Sequence, residues 1–254
     1  MVTKLKLAFQ GQQLVLLRKA GIFIVALGFV KYASFSIFSV AVFLIIATVV
    51  YNRPLIHTFA FLASYITFVV LVLMMSYRLI DVPLLITFYI SIGIVAYIFY
   101  GIKNYFFIHR GELRYFVQLF LSYIVYTLFF SADTSSYFSF KLFIIATILF
   151  LMWKELFSSL AREKKDEGYE ARNMSPAFIA GSISLLVTES LWAISLLPLN
   201  SLSAASLAVL VQFIVSDSIM RYMRHKLFVK TVLLYITIFI TLAVCIFATT
   251  SWSI

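Results

Sequence analysis

Residues 229 to 250 read VKTVLLYITIFITLAVCIFATT, 22 positions in which Lys230 is the single charged side chain. A helix crosses the roughly 30 Å hydrocarbon core of a bilayer with about 20 residues. The run therefore has the length and the apolarity of one crossing. It does not alternate apolar and polar residues over about ten positions, as a strand of a membrane barrel would. Seven further runs share this character, at 36–51, 55–77, 82–102, 115–131, 138–157, 176–199 and 202–220. The expected fold is all-α, a polytopic integral membrane helical bundle. Composition agrees: of 254 residues 63% are hydrophobic and 12% charged, with a mean hydropathy of +1.05, whereas a soluble domain is about half apolar and a quarter charged. Crossings on this scale use most of the chain, so residues 1–254 are expected to form a single transmembrane domain without a separate soluble one.

Local signals support the same boundaries. Pro54, Pro83 and Pro176 fit first-turn positions and Pro198 closes a run before Asn200, as expected of a residue that lacks an N–H and cannot continue a helix interior. Ser175 before Pro176 predicts an N-cap followed by the first helical residue. Tyr51, Tyr77, Tyr100, Tyr115, Tyr137, Trp153, Tyr222 and Trp252 lie near segment ends, where amphipathic rings meet headgroups.

The first thirty residues are ambiguous. A basic segment, 1–19, contains Lys4, Lys6, Arg18 and Lys19 and precedes an apolar run of only ten, Gly21 to Val30, followed by Lys31. Ten residues fit an interfacial helix, a signal-peptide core or a short crossing whose lysine snorkels outward. Charge decides between eight crossings plus an interfacial helix and nine. If 20–32 crosses, 17 of the 20 Lys and Arg fall on the cytoplasmic side, and only Lys31, Arg78 and Lys141 lie outside. If it does not, the split is 13 to 7. The positive-inside rule favours nine crossings in the plasma (inner) membrane, with the N-terminus cytoplasmic, a charged cytoplasmic loop at 158–175 and the C-terminus external. The net charge of +10 then points to anionic headgroups at the cytoplasmic face as partner, and not to nucleic acid.

No recognisable catalytic motif accompanies this architecture. His57, His109 and His225 lack metal-ligand spacing, Cys245 is the only cysteine, and neither a GxSxG elbow nor a phosphate-binding glycine loop occurs. No metal or cofactor is expected. Ala177 and Gly181, four apart, suit a close helix contact. Asp217 is the expected i,i+4 partner of Arg221, while Arg221, Arg224 and Lys226 form a basic interfacial group facing lipid phosphates.

Five intramembrane polar residues remain as site candidates. Gln118, Ser122 and Tyr126 recur at i, i+4, i+8 and place a polar stripe on one helix face, which should turn toward the bundle or a wet cavity. Glu189 lies about thirteen residues, or roughly 20 Å, into its helix, where insertion scales charge about 2.5 to 3.5 kcal/mol for an acidic side chain. The short turn at 199–201 makes the flanking helices adjacent and antiparallel, which sets Glu189 at the depth of Gln212. A hydrogen bond between a protonated Glu189 and the Gln212 amide is expected. The function class that fits is a polytopic protein that binds or moves a small solute or lipid, alone or within a complex. An embedded enzyme acting on lipid-linked substrates and a structural membrane partner are the alternatives.

With Cys245 replaced by serine, single cysteines introduced at residues 3 and 251 should react with a membrane-impermeant reagent from opposite sides of the membrane. Labelling of both from one side overturns the nine-crossing topology.

Overall fold

The computed structural model describes residues 2–52, 61–78, 82–103, 110–132, 137–166, 175–223 and 228–249, which contain nine helices and no strand. They are α1 (Val2–Tyr32), α2 (Ile37–Asn52), α3 (Leu62–Arg78), α4 (Val82–Lys103), α5 (Arg110–Ser131), α6 (Phe138–Asp166), α7 (Pro176–Ser195), α8 (Ser201–Met223) and α9 (Val229–Thr249). Six of them contain stretches long and apolar enough to cross a membrane: Gln13–Tyr32, Ile86–Lys103, Gly111–Ser131, Pro176–Ser195, Ser201–Tyr222 and Val229–Thr249. The apolar helices Ile37–Asn52 and Leu62–Tyr77 are shorter. By length and composition this is the architecture of an integral membrane protein.

The ambiguous N-terminus is one continuous helix. Arg18 and Lys19 interrupt the apolar run in the sequence, but both have good helix propensity, so the backbone continues through them. The apolar face then gains Leu14 to Leu17, and the ten-residue run becomes a 20-residue stretch. The charged segment after 157 likewise begins as an extension of α6 through Asp166.

The chain divides into two compact units, Met1–Arg114 and Tyr115–Ile254, with the boundary inside α5. In the first unit α1 is central and packs on α2, α3 and α4. Its Phe23, Leu27 and Val30 are fully buried. Phe23 lies 5.2 Å from Phe43 and 5.6 Å from Phe68, and Phe68 stacks on Phe99 at 5.0 Å, so α1 to α4 share an aromatic core. The α1–α2 connection turns through Ser34 and Phe35, both at positive φ (51° and 55°). Ser36 then caps α2, its Oγ accepting from the Ser39 N–H at 3.2 Å. Where α1 crosses α4, a Cβ added to Gly93 would stand 2.5 Å from Ile24 Cδ1.

In the second unit α6, α7, α8 and α9 pack in sequence, each on the next. Ser175 caps α7 as expected, its Oγ accepting from Phe178 N–H at 3.1 Å with Pro176 in the first turn. Asn200 caps α8, its Oδ1 accepting from Ser203 N–H at 2.8 Å. The close approach expected at Ala177 and Gly181 is displaced by three residues. Gly181 has only Phe150 at 3.9 Å from an added Cβ. The buried small pair facing α6 is Ala180 and Ser184, with Ser184 Oγ donating to Ala146 O at 2.6 Å.

Replacing Gly93 by leucine forces branched atoms into the α1–α4 crossing, beyond what the flexible end of Ile24 can yield. Overpacking of this kind costs about 1 to 3 kcal/mol, and Gly93→Leu should lower the Tm in lipid while Gly93→Ala changes it by less than half as much. Equal stability of both variants with the parent overturns the crossing.

Candidate functional site

Helix α5 presents its polar stripe to the interior of the second unit. Gln118, Ser122 and Tyr126 are all fully buried, because spacing of four residues keeps them on one face. Opposite them, α8 carries Gln212, also fully buried. Gln212 Nε2 donates to Ser122 Oγ at 2.9 Å, and Gln212 Oε1 accepts a hydrogen bond from Tyr126 OH. Gln118 Nε2 donates to Met152 O on α6 at 2.5 Å. One turn toward the α5 N-terminus, Tyr115 OH lies 2.8 Å from Ser216 Oγ, which itself donates to Gln212 O at 2.7 Å. Three helices are thus joined by long side chains through one buried polar belt.

The belt brings together four of the five intramembrane residues singled out in the sequence and excludes the fifth. Glu189 is exposed, on the face of α7 opposite the buried Ile179, Ala180, Ile183, Val187, Leu191 and Ile194. The expected Glu189–Gln212 hydrogen bond does not form. The hairpin does make α7 and α8 neighbours, but depth and azimuth are separate quantities. Gln212 is turned toward α5, where both ends of its amide are occupied, and Glu189 is turned away from the unit's interior. Ser216 and Tyr115 were legible in principle: Tyr115 extends the stripe at i−3 from Gln118, and Ser216 sits at i+4 from Gln212.

The basic interfacial group is described only in part. Arg221 Nε donates to Asp217 Oδ2 at 2.9 Å, the expected i,i+4 pair. Tyr235 OH of α9 donates to the same carboxylate oxygen, and the Arg221 guanidinium lies 5.8 Å from the Tyr235 ring. Arg221 thus helps fasten α9 to α8. Arg224 and Lys226 lie outside the described residues, as do His57, His109 and His225.

A second polar cluster, not anticipated as a site, occupies the first unit. Tyr51 of α2 stacks on Tyr65 of α3 at 4.0 Å, and Tyr65 OH donates to Ala47 O at 3.0 Å and lies 3.3 Å from Tyr100 OH of α4. Tyr51 and Tyr100, placed by the sequence at membrane edges, are each 1% exposed. Two cations stand against these rings, and a third, Arg114, against Phe61. Lys103 is 4% exposed, donates from Nζ to Tyr51 O and lies 4.2 Å from the Tyr51 ring. Lys19 Nζ lies 5.8 Å from the Tyr100 ring. Arg114, 5% exposed, lies 5.9 Å from the Phe61 ring. The contact of Lys103 with Tyr51 O has a local cause: Tyr51 is the penultimate residue of α2, and the ammonium caps carbonyls that a helix C-terminus leaves without intrahelical donors. Lys31 does the same for α3, donating to Ser76 O at 3.0 Å. Cation–π attraction to electron-rich rings adds to the cap.

No family model matches the chain, and neither a curated protein nor a solved structure matches it.

Gln212→Leu strands Ser122 and Tyr126 together. A buried polar group left unsatisfied costs about 1 to 3 kcal/mol, so the double variant Gln212→Leu/Tyr126→Phe should lose less stability than the two single losses added together. A double-mutant cycle in lipid should return a coupling of about 0.6 to 1.7 kcal/mol, the range of interhelical hydrogen bonds in membranes. Zero coupling overturns the bond between α5 and α8.

Proposed function

We propose that this protein resides in the plasma membrane, N-terminus inside and C-terminus outside, and binds an anionic lipid or other anionic amphiphile among the helices of its first unit. It belongs to the class that holds or moves a solute or lipid. The observation that carries this reading is the burial of Lys103 against the Tyr51 ring of a tyrosine cluster whose Tyr100 ring Lys19 also meets. Basic residues that merely meet the membrane surface stand exposed and reach out to it. These are turned inward. Residues 1–114 contain ten Lys and Arg but only two acidic residues, Asp81 and Glu112, and Glu112 is exposed. Lys19 and Lys103 meet rings of the same cluster, Lys19 at Tyr100 and Lys103 at Tyr51. An anion between them gains two attractions, and the tyrosine rings beside it offer apolar surface to an acyl chain. An ammonium group has three N–H donors, and among the described residues Tyr51 O takes one from Lys103. The rest can serve a phosphate or carboxylate.

Native mass spectrometry of protein purified from mixed anionic and zwitterionic lipid tests the proposal. The parent should retain the anionic species selectively. Lys19→Gln should weaken retention about fivefold, matching about 1 kcal/mol for a basic residue at an anionic lipid surface. The exposed control Lys230→Gln should leave retention as it was. Equal retention of both lipid classes by the parent overturns the reading.

A further inference from the structure

The two lysines of the tyrosine cluster lie toward one end of the first unit. Ile24 of α1 meets Gly93 of α4, and Lys19 of α1 meets the Tyr100 ring of α4. Numbers fall along α1 as they rise along α4, so the two helices are antiparallel and carry Lys19 and Lys103 toward the same end. Lys103 closes the apolar stretch Ile86–Lys103, and Tyr51 stands one residue from the end of the apolar helix Ile37–Asn52. A lipid whose tails run along these stretches therefore has its headgroup at the level of the cluster.

Charge and shape both restrict that headgroup. A phosphodiester carries a single negative charge, which leaves one of two ammoniums uncompensated, whereas a phosphomonoester carries about 1.5 to 2 near neutral pH. Lysine binds phosphate as a compact point charge with three donors, and Tyr51 O takes one donor of Lys103. The two lysines also differ in access, Lys19 being half-buried and Lys103 4% exposed. A diester holds its charged oxygens in mid-headgroup, with carbon on both sides of the phosphorus. A monoester ends in its oxygens and can approach a buried ammonium end-on. A headgroup with an ammonium of its own gains nothing, because the one acidic side chain among the described residues of 1–114, Glu112, is exposed. We infer that the ligand is a lipid of the cytoplasmic leaflet whose headgroup is a bare phosphomonoester, its second charge met by Lys19. This narrows the anionic-ligand reading above and rests on it.

The test is competitive retention, read by native mass spectrometry, from vesicles of equimolar phosphatidic acid, phosphatidylmethanol and phosphatidylcholine. Phosphatidylmethanol is the methyl ester of the first and differs from it by one charge and one carbon. The parent should retain phosphatidic acid about fivefold over the methyl ester, the effect of one basic residue on one further charge. Lys19→Gln should bring that ratio close to one, while Lys19→Arg and the exposed control Lys230→Gln should preserve it. Glycerol 3-phosphate, a soluble phosphomonoester, should not displace phosphatidic acid, and displacement by it overturns a lipid as the source. A ratio that Lys19→Gln leaves unchanged overturns the role given to Lys19 and with it the inference. Equal retention of phosphatidic acid and its methyl ester, both above phosphatidylcholine, overturns the inference and leaves the anionic-ligand reading standing. Equal retention of all three lipids overturns both.

Discussion

An amide buried among apolar helices has to find partners for both its ends, and Gln212 finds them on a single facing helix. Its nitrogen meets Ser122 and its oxygen meets Tyr126, four residues apart on α5. That demand fixes the rotation of both helices about their own axes, because turning either by one residue, roughly 100°, would carry the partners out of reach. The remaining polar contacts follow from that orientation. With α8 so turned, Ser216 lies one turn further along and meets Tyr115. With α5 so turned, Gln118 points to α6 and takes Met152 O. The face of α8 that carries Asp217 then receives Tyr235 and with it α9.

The first unit obeys the same requirement through cations. A helix ending inside a bundle leaves its last carbonyls without donors, and an ammonium is a compact donor on a long stem that can reach them. Lys103 and Lys31, from α4 and α1, supply α2 and α3 in this way. Lys31 is one of three basic residues that the nine-crossing reading of the sequence assigns to the external side, and its contact with Ser76 O supplies a structural reason for its presence. The two lysines show that a basic residue near a segment end can serve the fold itself. Where Lys19 joins Lys103 at the tyrosine cluster, meeting the Tyr100 ring, capping does not account for it.

Helix positions were legible in the sequence because continuous apolar length is a property of the chain itself. Each of the eight apolar runs begins or ends within a few residues of a helix boundary, and α7 begins with the serine cap and proline the sequence displays. The N-terminal helix was obscured because charge was read as interruption. Arg18 and Lys19 break hydropathy without breaking backbone hydrogen bonds, and only α1's packing against three other helices reveals that its outer turns belong to it. The α5 stripe was visible from spacing alone. Its partner was not, since one helix's periodicity says which residues share a face and nothing about which helix that face meets. Glu189 was misassigned for that reason: equal depth with Gln212 follows from a short turn, whereas azimuth is decided by neighbours distant in sequence. Tyr51 and Tyr100 were likewise placed at an interface by their position along the chain and are buried by lateral packing.

The energies involved explain why these orientations matter more than their strength. An interhelical hydrogen bond in a membrane contributes about 0.6 kcal/mol on average, too little for four or five such bonds to hold a bundle together. Burial of apolar surface contributes little between helices already surrounded by hydrocarbon. Cohesion must come from close packing, at Gly93 against Ile24, at Ala180 and Ser184 against α6, and in the rings joining Phe23, Phe68 and Phe99. Such packing tolerates several rotations of similar energy, because one leucine face resembles another. A polar group does not, since one rotation satisfies it and the others strand it at about 1 to 3 kcal/mol. Gln212 therefore discriminates among arrangements that packing alone would leave nearly equal.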